Sequence, residues 1–173
     1  MRVVPAQKND LEKIAEIYEL IHREEEKGNT STGWVRNIYP TLETAEEAFE
    51  KGELYAAYKD EKLVGSAVIN HFQADSYKEG NWRYESEDEK IMVLHTLAVH
   101  PDYFRHGFGG EFIRFFEMFA LSQGCTVLRM DTQAKNKNAR EFYRRLGFEE
   151  AGIVPCSFNG IDSVDLVMLE KKL

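Results

Sequence analysis

Cysteine is scarce in this chain: Cys125 and Cys156 are the two among 173 residues. They form no close pair, which excludes a disulfide scaffold and points to free thiols in a reducing, cytoplasmic compartment. Proline and glycine, at four and twelve, are too few for a collagen-like repeat, and no Pro/Gly/Ser linker interrupts the chain. Long apolar runs are missing as well. The longest is Leu54-Tyr55-Ala56-Ala57-Tyr58, far short of the roughly 20 residues a membrane span needs. The start, MRVVPAQKND, lacks the apolar stretch of a signal peptide, so neither secretion nor membrane insertion is expected. His22, His71, His100 and His106 show no ligand spacing with the cysteines, so no metal site is expected. Basic charge is outweighed, with 22 Lys and Arg against 30 Asp and Glu and a formal net charge of −8. That balance argues against nucleic acid as a partner.

What is present suits one packed domain over residues 1–173. Apolar residues make up 43% and aromatics 12%, enough for a core that hides about 70% of the unfolded chain's surface. The charge is unevenly spread. Residues 1–102 carry 12 basic and 21 acidic side chains, net −9. Residues 103–145 carry 8 and 4, net +4, and residues 146–173 carry 2 and 5, net −3. A basic block inside an acidic protein points to an anionic ligand near 103–145, unless it is merely a solvated face.

Periodicity orders the elements. Arg2 to Val4 starts a strand. Asn9 with Glu12 fits a capping box, and Leu11, Ile14, Ala15, Tyr18 and Ile21 follow at helical spacing to an end near Gly28. Thr41 to Gly52 reads as a shorter helix with Ala45, Ala48 and Phe49 facing inward. Leu54 to Tyr58 and Leu63 to His71 form a hairpin around Lys59-Asp60-Glu61-Lys62. Residues 73–89 read as a long polar loop, and Ile91 to Val99 as a central strand. Phe112, Phe115, Phe116 and Phe119 then mark a helix stopped by Gly124. Thr126 to Met130 is a strand. Ala139, Phe142, Tyr143 and Leu146 mark a last helix closed by Gly147. Phe148 to Phe158 and Ile161 to Leu169 flank Asn159-Gly160, a strong two-residue hairpin signal. The order β-α-α-β-β-β-α-β-α-β-β describes an α/β protein with a mixed sheet and helices on its faces.

The segment richest in chemistry is Leu97-Ala98-Val99-His100-Pro101-Asp102-Tyr103-Phe104-Arg105-His106-Gly107-Phe108-Gly109-Gly110, a strand, a glycine-rich turn and a helix start. Glycines let the backbone approach a ligand closely, and a helix start offers free N–H groups and a positive dipole end. Together they can cradle phosphate. Two common nucleotide motifs fail here. Glu111 follows Gly110 where a Walker A loop has Lys and Ser or Thr, and Phe112 stands where a dinucleotide fingerprint has its third glycine. On residues alone, a plain tight turn competes with the phosphate cradle.

The stretch LAVHPDYFRHGFGGEFIRFFE resembles the acyl-CoA-binding motif of the GNAT superfamily of N-acetyltransferases. Downstream, NKNAREFYRRLGFEEAG is similar to that family's second motif, with Asn136, Ala139, Phe142, Tyr143, Leu146, Gly147 and Phe148 in the expected places. The element order also resembles that fold, so the likeness covers nearly the whole chain. One position departs: where the family carries Gln or Arg ahead of its glycines, this chain has Phe104, with Arg105 one place late.

The resemblance implies acetyl-CoA as co-substrate and a primary amine, of a small molecule, as acceptor. Its pyrophosphate would rest on the turn Arg105, His106, Gly107, Phe108, Gly109 and Gly110. Its pantetheine would run beside Leu97, Ala98 and Val99, with Asn136 and Ala139 near the cofactor. Lys135, Lys137, Arg140 and Arg144 become candidates for the other phosphates, against the competing role of solvated helix charge. Tyr143 matches the tyrosine that protonates the departing sulfur in many members, although it also lies on an apolar stripe. A phenol keeps its proton at neutral pH. His95 matches a histidine of arylalkylamine-acetylating members and is the candidate base, with a water chain as the alternative. Strand alternation would put His95 and Leu97 on one face. Val93 stands where other members carry a catalytic glutamate.

The acceptor end is less defined. Residues 72–90 hold six acids and three bases, a pattern that attracts a cationic amine. Trp34, Tyr39, Trp82 and Tyr84 are candidates for a pocket lining or for cation–π contact, or for ordinary packing. Polyamine, amino acid, aminoglycoside, arylalkylamine and protein N-terminus all fit as acceptors. Many relatives dimerise, so a homodimer is compatible. The competing function is a non-catalytic acyl-CoA-binding or regulatory module on the same fold.

Overall fold

A computed structural model describes every residue from Met1 to Leu173. In chain order the elements are β1 (Arg2–Pro5), α1 (Leu11–Glu26), α2 (Leu42–Glu50), β2 (Leu54–Lys59), β3 (Lys62–Asn70), β4 (Ile91–Val99), α3 (Phe108–Ser122), β5 (Val127–Gln133), α4 (Lys137–Arg145), β6 (Glu149–Phe158) and β7 (Ile161–Lys172). This is the order read from the sequence. The strands form a seven-stranded mixed sheet in the order β1-β2-β3-β4-β5-β7-β6. Four of its pairings are antiparallel: β1 with β2, β2 with β3, β5 with β7 and β6 with β7. β4 runs parallel to β5, with Ile91–Leu94 opposite Val127–Met130. A parallel pair requires a crossover connection, and α3 supplies it. No helix is long and apolar enough to cross a membrane.

The chain divides into two compact units, Met1–Ile69 with His95–Phe116, and Asn70–Leu94 with Glu117–Leu173. In the first unit, α1 buries Leu11, Ile14, Ile17, Tyr18 and Ile21. Ile17 belongs to this stripe, while Ala15 stays half-buried at its margin. The capping box expected from Asn9 and Glu12 lies elsewhere. A 3-10 turn, Lys8–Asp10, precedes α1, and the box is made by Gln7 and Asp10. Asp10 is drawn in because its carboxylate accepts both the Gln7 N–H, at 2.8 Å, and the Tyr58 hydroxyl from β2. The β2–β3 turn uses Asp60 and Glu61 at φ 47° and 61°, the doubly left-handed signature of a type I′ hairpin. Gly65 on β3 is required by packing. A Cβ there would stand 2.6 Å from the Ala98 carbonyl oxygen.

In the second unit, Ile91, Val93, Val127, Val154, Val164, Leu166 and Met168 form a core closed by Tyr77. The β6–β7 hairpin turns on Asn159 and Gly160, at φ 49° and 76°, as the dipeptide predicts. Residues 73–89 are polar but not free-running: they contain a 3-10 turn, Asp75–Glu79, and end within another, Asp88–Lys90. Buried Glu170 accepts the N–H groups of Arg83 at 2.7 Å and Tyr84 at 3.3 Å. β5 continues three residues beyond Met130, to Gln133. The buried face of α3 is Phe112, Ile113, Phe116 and Ala120, with Phe115 and Phe119 half-buried beside it. On α4 only Tyr143 of the predicted stripe is fully buried.

Candidate active site

The first unit carries the strand-to-helix turn. Within β4, Ala98 is buried and His95, Leu97 and Val99 are half-buried. Thr96 has φ 51°, a conformation that a β-branched residue adopts at a cost of about 1–3 kcal/mol. The Tyr39 hydroxyl sits 2.5 Å from Thr96 Oγ1 and holds it. This kink breaks the regular alternation, so the expectation that His95 and Leu97 share one face does not carry across Thr96. Beyond the strand, the His100 N–H donates to the Val64 carbonyl at 2.8 Å. Pro101–Tyr103 makes a 3-10 turn, and Arg105 and Gly107 follow at φ 64° and 86°.

α3 starts at Phe108, and its first recorded backbone bond back into the turn runs from Glu111 N–H to the Gly107 carbonyl at 3.1 Å. The N–H groups of Phe108, Gly109 and Gly110 have no carbonyl four residues back in the helix. A Cβ built on Gly107 or Gly110 would meet no atom within 4 Å. Arg105, His106 and Gly107 are exposed. Open backbone, left-handed turn residues and the dipole end of a 15-residue helix fit a phosphate group. Phe108 offers its backbone only, because its ring is buried edge-on to Tyr103 with centroids 5.3 Å apart. Phe104, the departure from the family pattern, packs against the α1 core instead of facing solvent.

The second unit carries the titratable groups. Asn136 caps α4, its side-chain oxygen accepting the Ala139 N–H at 3.1 Å. One turn on, Tyr143 is buried between Phe142 and Phe148, with ring centroids 5.1 and 6.0 Å away. On β5, Asp131 accepts a hydrogen bond from the Tyr77 hydroxyl at 2.9 Å. Asp131 is half-buried as a whole residue, and desolvation of its carboxyl pushes it up to about 6, against the pull of that hydrogen bond. Burial, then the charge of Asp131, raises the Tyr143 phenol above its ordinary range. The Cys156 thiol on β6 is raised by burial first and then by Asp131 and Asp165. Asp131, Tyr77, Tyr143 and Cys156 therefore share one electrostatic neighbourhood.

Asp131 is the residue that sequence reasoning missed. Apolar character ends at Met130, one residue short of Asp131, while β5 runs on to Gln133. The available signal was alternation: Val127, Arg129 and Asp131 lie on one face of β5. The other candidate residues have the following surroundings. Of the four phosphate candidates, Arg140 is engaged with Glu150 at 2.7 and 2.8 Å, and Arg144 with Glu141 at 2.9 Å. Lys135 and Lys137 are exposed. The Trp82 ring lies 4.0 Å from the guanidinium carbon of Arg129, an internal cation–π contact. Tyr84 donates to Glu149 at 2.9 Å. Trp34 packs edge-on to Tyr18, His22 and Tyr39. Val93 is wholly buried in the core.

A profile of the Acetyltransferase (GNAT) family matches residues 14–148. An uncharacterized N-acetyltransferase of Bacillus subtilis is 29% identical over 126 residues, 73% of this chain and 64% of that protein, so the match spans less than two thirds of the relative. A streptothricin acetyltransferase of Escherichia coli is 25% identical over 140 residues, 81% of this chain and 71% of its own length. Among solved structures, a GNAT-family acetyltransferase of Streptococcus agalactiae superposes with a TM-score of 0.79 at 20% identity, covering 99% of this chain and 95% of its own. A Salmonella typhimurium protein assigned as an acetyltransferase, solved with its cofactor acetyl-CoA, gives 0.69 at 17% identity, over 100% and 94%.

Proposed function

This chain belongs to the GNAT acetyltransferase family, and from that premise we propose that it is an acetyl-CoA-dependent N-acetyltransferase acting on a primary amine of a small molecule. The observation that carries the reading is the open strand-to-helix turn Arg105–Gly110 at the start of α3, a phosphate cradle within the residues that the family profile matches. The Asp131 carboxyl, pushed up to about 6, and the Tyr143 phenol, protonated at neutral pH, supply candidates for base and acid. The name of the E. coli relative, streptothricin acetyltransferase, supports a small-molecule acceptor.

When bound, acetyl-CoA supplies the acetyl thioester. The N–H groups of Phe108, Gly109 and Gly110 and the turn Arg105 to Gly107 bind its pyrophosphate. Leu97, Ala98 and Val99 offer backbone groups to its pantetheine arm, and the Leu97 N–H is the oxyanion donor. Asn136 and Ala139 form the start of α4 on which Tyr143 is carried. Asp131, ionised above pH 6, accepts the proton that the amine must lose to attack. Tyr143 is assigned the departing sulfur as general acid, its phenol carrying a proton at neutral pH. His95 is the second reading for the base, supported by its place on β4 directly before the Thr96 kink. We read the two units as one acetyltransferase domain, working without a metal in a reducing compartment.

Calorimetric titration with acetyl-CoA, with NAD and ATP as controls, tests the cofactor. Release of CoA thiol over a panel of amines tests the reaction. Tyr143→Phe is expected to lower kcat at least about tenfold while leaving acetyl-CoA affinity nearly unchanged. Binding of acetyl-CoA with no turnover of any amine would favour a regulatory acyl-CoA-binding module instead.

A further inference from the structure

Tyr77 belongs to the segment that the sequence marks as a polar loop, yet it is buried to 2% exposure. Its surroundings form a closed circuit that leaves β5 and returns to it. Arg129 is buried under the loop. It stacks on Trp82 at 4.0 Å, donates to the Gln73 side-chain oxygen at 2.5 Å and donates to the Tyr84 carbonyl at 3.2 Å. The Trp82 indole N–H donates to the Tyr77 carbonyl at 2.6 Å, and the two rings lie 5.5 Å apart. The Tyr77 hydroxyl then donates to Asp131 Oδ2 at 2.9 Å. Arg129 and Asp131 are two residues apart on β5, so both project to the face that the loop covers. Gly80 completes the fit. A Cβ there would stand 2.7 Å from the Trp82 indole.

Packing alone would be served by phenylalanine at 77. The hydroxyl does something further, because it meets the one carboxylate beside Tyr143. The groups that bear on Asp131 are Tyr77 from the 3-10 turn, Tyr143 from α4 and Cys156 from β6. Asp165 on β7 and Glu79 act on the same Cys156. Arg129 is occupied with Gln73, Trp82 and Tyr84.

We propose that Tyr77 is a positioning residue, aimed by the Trp82–Arg129 clasp, whose hydroxyl fixes Asp131 Oδ2 and leaves Oδ1 to take the proton of the acceptor amine. This rests on the reading of Asp131 as proton acceptor given above. Residues 73–89 then form a fixed frame for that carboxylate.

The test uses full-length protein with Tyr77→Phe, which keeps the ring, and Trp82→Phe, which keeps the stack on Arg129 and removes the indole N–H. The Asp131 carboxyl carbon is titrated by NMR without ligand, assigned with Asp131→Asn. The pH profile of kcat is recorded with an amine that the wild type accepts. Removing the Tyr77 hydrogen bond is expected to raise the Asp131 midpoint by roughly half a unit or more, and Trp82→Phe to raise it less. The acidic limb of kcat should move the same way, with KM for acetyl-CoA unchanged. An unmoved midpoint in folded Tyr77→Phe overturns the proposal, whatever Trp82→Phe shows. A midpoint that moves while the acidic limb stays in place overturns the role of Tyr77 in proton transfer. If the wild type turns over no amine, the acetyltransferase reading fails on that result, and the NMR midpoint still decides whether Tyr77 holds Asp131.

Discussion

Asp131 illustrates how a desolvated carboxyl can oppose stability. A carboxyl whose folded pKa lies near 6, above the unfolded value of about 3.9, binds protons more readily in the folded chain. The stability linked to it is fully present below pH 4 and is lost as pH rises through 6. Asp131→Asn removes this loss and keeps an oxygen that can accept from Tyr77. The variant should therefore be more stable than wild type by about 1–3 kcal/mol at pH 8 and little different at pH 4. Its turnover should fall about a hundredfold or more. Urea unfolding at both pH values, beside CoA release at pH 8, checks the pair of effects. Equal stability at pH 8 would mean that water reaches this carboxylate more freely than its burial implies.

At the scale of elements, residues 29–40 are a strap tied to the end of α1. The Glu25 carboxylate accepts from Thr30 Oγ1 at 2.7 Å, from the Thr32 N–H at 2.8 Å and hydroxyl at 3.0 Å, and from the Gly33 N–H at 3.1 Å. Burial works against its charge, but these hydrogen bonds outweigh it and hold Glu25 below the ordinary range. The strap delivers Trp34 to the α1 core and Tyr39 to Thr96. Because the folded pKa is depressed, the stabilisation is present above about pH 4.3 and is lost as pH falls through the folded value. Glu25→Ala should cost about 1–3 kcal/mol at pH 7, since it orphans several donors at once. Hydrogen exchange at the Thr32 and Gly33 amides should then speed up at pH 7, and in the wild type only below pH 4. Protection that survives the substitution would show that the aromatic contacts of Trp34 hold the strap alone.

At the scale of the whole molecule, the acidic excess is interrupted where an anion is expected. The formal charge is −8 overall, and residues 103–145 carry net +4. Part of that block is already committed, since Arg140 and Arg144 are paired with Glu150 and Glu141. Under the proposed function, attraction for acetyl-CoA is left to exposed groups such as Arg105, Lys135 and Lys137, and to the backbone at the start of α3. Exposed charges are screened by salt, while backbone hydrogen bonds are not. Raising NaCl from 50 to 500 mM should weaken acetyl-CoA binding by several-fold, not by orders of magnitude. Calorimetry across that range checks it, and a loss of a hundredfold or more would shift the weight from backbone to side chains.

The element order, both hairpins and the glycine-rich turn were legible in the amino-acid sequence. Each rests on a local rule: apolar spacing of 3.6 or 2, and the left-handed φ open to glycine at Gly160 and Gly107. The left-handed φ of Asp60 and Glu61, which makes the first turn two residues long, appears only in the fold. The motifs around Gly107 and Tyr143 were visible for the same reason, as their residues are neighbours in the chain. The capping box moved from Asn9 to Gln7 because Tyr58 on another element claims Asp10. The alternation that joined His95 to Leu97 failed because a tertiary contact from Tyr39 holds Thr96 in a kink. Asp131 became distinctive only in the fold. Its hydrogen-bond partner lies 54 residues away in the chain, and its raised pKa comes from burial. The sequence by itself determined where strands, helices and the glycine-rich turn would form, since those follow from short-range sterics and periodicity. Tertiary structure alone decided which carboxylate is desolvated and held, because desolvation depends on which distant segments close over a residue.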